Sequence, residues 1–300
     1  DKDESATATN GNLGFATTGP AIVRAGSKDK NGRWFAVFAS GPTGPIDAAN
    51  KQFIGKSDQP LRLFIVDIAT GALVKTINTG IANAFAGSIY NGSIDNDRAY
   101  SSKDGFYQDD AVYIGYVQKN GSTDVWNVGG VIRLVTNESI NPNDATYPWT
   151  WSTVISGVGP VTSAVAKLQD RANGKQWLYF GTGRYFYKTA TGIDDATNGR
   201  RIYGIQEPCY LASTQKVDPT CTTAVTTAQL VNQTAVTAFS ASEKGWYINL
   251  DNLADGFSAE RVITDPVASP SGVVFFTTFR PTDDVCGYGG NSYIWAVDYK

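Results

Sequence analysis

One strand type, written four times, limits what this chain of 300 residues can become. A short apolar and aromatic run recurs as Trp34-Phe35-Ala36-Val37-Phe38, Ala111-Val112-Tyr113-Ile114-Gly115, Trp177-Leu178-Tyr179-Phe180-Gly181 and Val273-Val274-Phe275-Phe276-Thr277. Each run follows a lighter strand, at 20–25, 87–94, 161–168 and 262–268. Each precedes a third strand, at 63–67, 131–134, 202–206 and 293–298. After the first unit, Ile68-Ala69-Thr70-Gly71 turns the chain tightly into Leu73-Val74-Lys75-Thr76-Ile77, which adds an outer fourth strand. A repeated up-and-down meander of three or four strands is the blade of a β-propeller. Continuous apolar runs, in place of clean alternation, suit strands covered on both faces by neighbouring blades. A β-sandwich whose strands resemble one another by chance is the alternative fold.

The repeats begin at 34, 111, 177 and 273, wider apart than the ~40–50 residues of compact propeller units. Polar insertions at 42–60, 95–109, 119–129, 137–150, 186–200 and 207–243 absorb the excess, and residues 218–234 have the length for a short helix. The expected organisation is a linker or ragged start over 1–14. One all-β propeller domain, partial or modified, with about four recognisable blades, then covers 15–300.

Composition removes several function classes. The net charge is −3 with no cluster of Lys or Arg, so a nucleic-acid partner is not expected. No apolar run approaches the ~20 residues of a membrane span. There is no His and no Met, which excludes a Ser-His-Asp triad, a His-ligated zinc and a haem held by either residue. A chain without Met that opens on Asp1 reads as processed, or as a piece of a longer protein. Cys209 and Cys221, 12 apart in a polar, Thr-rich segment, read as a disulfide closing a surface loop, which favours an oxidising, extracytoplasmic setting. Cys286 is then free or paired outside these residues.

The densest acidic segment is Asp95-Asn96-Asp97, Lys103-Asp104-Gly105 and Asp109-Asp110, just before the second aromatic strand. Calcium takes six to eight hard oxygens, which closely spaced Asp and Asn side chains and carbonyls supply. Asp95, Asp97, Asp104 and Asp110 are therefore the candidate metal ligands, against an ordinary solvated acidic turn. The pairs Asp194-Asp195 and Asp283-Asp284 read as solvated turns. Around Pro148, Trp149 and Trp151 fall on one face of a strand, beside Tyr147. They serve either as a carbohydrate or protein contact or as packing between blades.

The closing stretch carries a resemblance. Glu260-Arg261-Val262-Ile263-Thr264-Asp265-Pro266-Val267 leads into Gly272–Phe279, then Pro281-Thr282 and Cys286-Gly287-Tyr288-Gly289-Gly290-Asn291-Ser292-Tyr293-Ile294-Trp295-Ala296-Val297-Asp298. With Gly245–Leu250 and Trp177–Gly183, this resembles the propeller of PilY-type proteins, which sit at the tip of bacterial type IV pili. The resemblance implies a secreted, pilus-associated, non-enzymatic protein that supports pilus assembly against retraction and contributes to adhesion and twitching motility. Minor pilins or the pilus tip would be its partners, and a host or surface ligand would be met through a separate N-terminal region. It also implies a calcium loop in the propeller. Asp95 and Asp97 match the opening carboxylates of that loop and Asp110 the acid before the strand, while Tyr116 stands where the pattern has Asp. No von Willebrand-type Asp-x-Ser-x-Ser motif is present. Two other readings stand beside this one. Val66-Asp67-Ile68-Ala69-Thr70-Gly71 is one copy of a repeat ending found in quinoprotein dehydrogenases, and a carbohydrate-binding or glycoside-hydrolysing propeller would carry an acidic pocket on its axis.

Overall fold

The computed structural model describes residues 13–26, 32–49, 51–97, 107–190, 192–197, 199–235, 243–250, 257–282 and 289–300. Its framework is four antiparallel meanders in chain order, with short two-stranded hairpins in the insertions between strands of a sheet. Sheet I runs Ala21–Ala25, Arg33–Ala39, Arg62–Asp67 and Leu73–Asn78. Sheet II has an inner strand interrupted between Ala84–Ala86 and Ser93–Ile94, then Ala111–Gln118, Val128–Val135 and Thr150–Ser156. Sheet III runs Ala166–Asp170, Lys175–Gly181, Arg201–Gln206 and Gly245–Asn249, with Val231–Asn232 added in parallel at the edge. Sheet IV pairs Arg261–Val262 and Val267–Ala268 with one edge of Val273–Pro281, and Gly290–Asp298 with the other. The fold is all-β and propeller-like, as the repeated strands imply.

Strand alternation explains why the aromatic runs are apolar throughout. Successive side chains point to opposite faces of a sheet, and here both faces are covered. Val112 and Ile114 pack with Phe35, Val37, Leu63 and Ile65 between sheets I and II. Ala111 and Tyr113 turn the other way, onto Leu178, Phe180 and Tyr203 of sheet III. Trp177 and Tyr179 then meet Val262, Val274 and Phe276 of sheet IV. At the two ends of this row large side chains stay exposed: Ile22 and Trp34 on sheet I, Phe275 and Ile294 on sheet IV.

The same backbone bond stitches each sheet to the next. Ala86 N–H donates to the Ser40 carbonyl (2.9 Å), Val161 N–H to that of Tyr116 (3.1 Å), and Val262 N–H to that of Thr182 (3.0 Å). The residue before each acceptor is small: Ala39, Gly115 and Gly181. At the two glycines the reason is contact. A Cβ on Gly115 would lie 2.7 Å from the Val161 carbonyl oxygen, and one on Gly181 only 2.2 Å from Val262 Cγ2. Gly115→Val should therefore wedge sheets II and III apart and cost about 1–3 kcal/mol, the usual range for overpacking a filled core. A urea midpoint equal to wild type would show that the sheets do not meet there.

Trp149 is buried, its ring 5.1 Å from that of Phe35, and Trp151 packs against the same core. Both tryptophans thus serve packing between sheets, while Tyr147 is exposed. The short helix over 218–234 reduces to one 3-10 turn, Thr227–Gln229. Its flanks are drawn into sheets instead: Val225 bridges Ile155 of sheet II, and Val231–Asn232 pairs with Gly245–Asn249. A β-branched stretch beside free strand edges gains more from pairing there than from local helical bonds.

Candidate functional site

In a meander, alternate connections fall at opposite ends. The insertions between second and third strands (42–60, 119–129 and 186–200) thus share one end of the molecule. Those between first and second or third and fourth strands (95–109, 137–150 and 207–243) share the other.

At the first end, three insertions tie to one another around a cleft of about 660 Å³. The hairpin Ile46–Asp47/Gln52–Phe53 meets the hairpin Lys188–Thr189/Gly192–Ile193. Gln52 Nε2 donates to the Lys188 carbonyl (3.1 Å), and Lys188 N–H donates back to Gln52 Oε1 (2.6 Å). Lys56 pairs with Asp124 at 2.6 Å, and Arg184 Nε donates to the Trp126 carbonyl at 2.9 Å.

Beneath them lies a buried charge cluster. Arg184 pairs with Asp194 and Arg200 with Asp195, while Arg261 reaches Asp195 from sheet IV, donating from Nη2 to its carbonyl (2.8 Å). The Asp195 side chain is only 2% exposed. Burial pulls the Arg261 guanidinium down to about 10, with the Asp195 charge opposing. Asp194 and Asp195 are therefore not solvated turn residues, contrary to the expectation from sequence. Arg184 and Arg200 flank the pair in the same connection, but their spacing does not show that the loop folds them back onto it and buries it, and Arg261 arrives from 66 residues away.

At the second end lie the acidic segment and the disulfide loop. Asp97 and Asp110 are buried. Asp110 Oδ2 accepts from Asn96 N–H at 2.7 Å, which joins the two ends of the acidic insertion. Burial first, then the charges of Glu138, Asp97 and Asp95, push the Asp110 carboxyl well above its ordinary range despite that bond. Asp95, Asp97 and Asp110 are thus brought into one electrostatic neighbourhood, whereas Asp104 lies outside the described residues. An all-oxygen set of this kind suits calcium in its donor chemistry. Among the described residues, however, no three acidic side chains converge as a ready metal shell. Asp109 has a structural role missed by sequence reasoning. Its Oδ2 accepts Arg24 N–H (2.7 Å) and its N–H donates to the Arg24 carbonyl (2.8 Å), pinning the insertion to the inner edge of sheet I.

Cys209 and Cys221 form the expected disulfide; Cys286, like Asp283 and Asp284, lies outside the described residues. The loop is held to sheet II by a fully buried ion pair, Arg133 Nη1 to Glu207 Oε1 at 2.5 Å. Arg133 Nη2 also donates to the carbonyls of Thr223 (2.8 Å) and Cys221 (3.4 Å), and Cys209 N–H donates to Glu207 Oε1 at 2.9 Å. Burial raises the Glu207 carboxyl above its usual range while Arg133 opposes that rise. Beside the acidic segment, Lys216 of this loop pairs with Glu138 at 2.7 Å.

No protein-family model matches the chain. Over 305 aligned positions, covering 96% of this chain, it is 20% identical to the type IV pilus biogenesis factor PilY1 homolog of Xylella fastidiosa (strain Temecula1). The aligned part is 20% of that protein, so the chain spans about one fifth of the length of the curated relative it matches. From sheet I to sheet IV, then, this chain is similar to one part of a PilY1-type protein.

Proposed function

We propose that this chain is the propeller-type portion of a type IV pilus-associated protein, acting outside the cell as a binding and scaffold module and not as a catalyst. The observation that carries the reading is the co-linear similarity to a PilY1 homolog across 96% of the chain. In this reading the propeller engages minor pilins or the pilus tip. It supports pilus assembly against retraction and thereby adhesion and twitching motility. Deleting residues 15–300 from the chromosomal copy should reduce surface pili and abolish twitching, with both restored by the intact gene. Unchanged piliation and twitching would refute the reading.

Calcium is the regulator this reading includes, with Asp95, Asp97 and Asp110 as ligands and Asp104 as a further one. The buried Asp110 carboxyl, whose proton affinity the neighbouring Asp97 and Asp95 charges raise further, would be relieved by a cation. An extracellular module needs only a weak site, on the order of 10⁻⁴–10⁻³ M. Calcium at a hundredfold excess over Kd should then stabilise the fold by about 2.7 kcal/mol. Asp95→Ala with Asp97→Ala should remove the calcium-dependent rise in Tm. A wild-type melting curve indifferent to chelator would leave the segment a structural turn.

A further inference from the structure

We infer that the cleft at the first end is a binding site for a neutral saccharide, with Tyr185 as the stacking platform and Asp265 as the hydroxyl acceptor. The platform is built before any ligand arrives. Tyr185 stacks on Phe186 (5.1 Å, 12° between planes), and Phe186 on Phe279 of sheet IV (6.3 Å, 18°). The terminal ring of this stack is 72% exposed while lining a concave site. Phe53, also exposed, lines the same cleft from the sheet I insertion and is braced edge-on by Phe15 at 5.2 Å. Large aromatic surface held rigid and open to water is a binding feature when it lies in a cleft of small-ligand size.

The polar lining selects the class of ligand. Asp265 Oδ1 is fixed by Ala164 N–H at 2.7 Å, and the exposed carboxylate forms no ion pair among the described residues. A carboxylate oriented in this way accepts hydrogen bonds from hydroxyls. With Arg184 already paired to Asp194, the lining presents, among the described residues, one cation, Lys51, against one anion, Asp265, and this balance favours a ligand without net charge. A pyranose offers both required surfaces without net charge: an apolar ring face for Tyr185 and hydroxyls for Asp265. The walls are tied to one another by the Gln52–Lys188 bonds, the Lys56–Asp124 pair and the bond from Arg184 to the Trp126 carbonyl. Such preorganisation lowers the ordering cost of binding.

The full chain should be probed on an array of neutral and acidic oligosaccharides, with affinity for the retained neutral glycans then measured by calorimetry. The expected result is retention of neutral glycans. Tyr185→Ala and Asp265→Asn should each weaken binding by at least about tenfold, with Tm unchanged because both side chains are exposed. Absence of glycan retention by the wild type would overturn the proposal. So would affinity indifferent to both substitutions, or Tyr185-dependent capture of members of a displayed random-peptide library in place of glycans. None of these outcomes bears on the pilus reading, which is tested by piliation.

Discussion

Replacing Arg133 with methionine should destabilise the protein by about 3–5 kcal/mol, the cost of breaking a buried pair from one side. Both side chains of the Arg133–Glu207 pair are fully buried, so the remaining Glu207 carboxylate would have no solvent to turn to. It would take up a proton instead, because burial already raises its proton affinity and the opposing Arg133 charge would be gone. The Arg133 hydrogen bonds to Ser152, Thr223 and Cys221 would vanish with it, releasing the loop after sheet III from sheet II. Arg133→Met combined with Glu207→Leu should recover much of the loss, since an apolar pair of similar volume avoids the desolvation of two charges. Urea unfolding of the single and double variants tests this. A single variant within about 1 kcal/mol of wild type would mean that solvent reaches the pair.

Removing the disulfide with Cys209→Ala and Cys221→Ala should cost about 3 kcal/mol, the loop-closure value for a sequence separation of 12. The loss should not add simply to that of Arg133→Met. Arg133 binds the Cys221 carbonyl, and Glu207 accepts from Cys209 N–H, so bridge and ion pair hold the same loop. Residues within one such network show coupling of about 0.5–3 kcal/mol. The triple variant should therefore lose less than the sum of the two separate losses. Strict additivity in thermal or urea melts would show that the bridge stabilises the loop independently of the buried pair.

The strand plan is legible in the sequence because it rests on local pattern. All four central strands lie where the aromatic runs put them, and the turn at Ile68–Gly71 leads into the outer strand of sheet I as expected. Outer strands were harder to read. Gly245–Asn249 pairs with Arg201–Gln206 across the long 207–243 insertion, so nothing in its neighbourhood marks it as the next strand of sheet III. The disulfide was legible for a related reason: two cysteines in one short polar segment limit each other's choice of partner.

What the sequence alone determined, then, were the features written within a few tens of residues: four strand units, glycines that end two of the aromatic runs, one short covalent loop, and an acidic segment. Only the tertiary structure decided which of those segments meet. Asp194 and Asp195 read as a solvated pair, but their own connection folds back to bring Arg184 and Arg200 onto them, and Arg261 reaches them from sheet IV, 66 residues on. Arg133 and Glu207 are 74 residues apart and become partners only when sheet III packs on sheet II. The cleft likewise exists only because alternate connections of successive meanders emerge at one end. The physical reason is the same in each case. Strand periodicity is enforced by the covalent backbone, whereas the burial of a charge or the shape of a cleft depends on surfaces that adjoin only after the sheets stack.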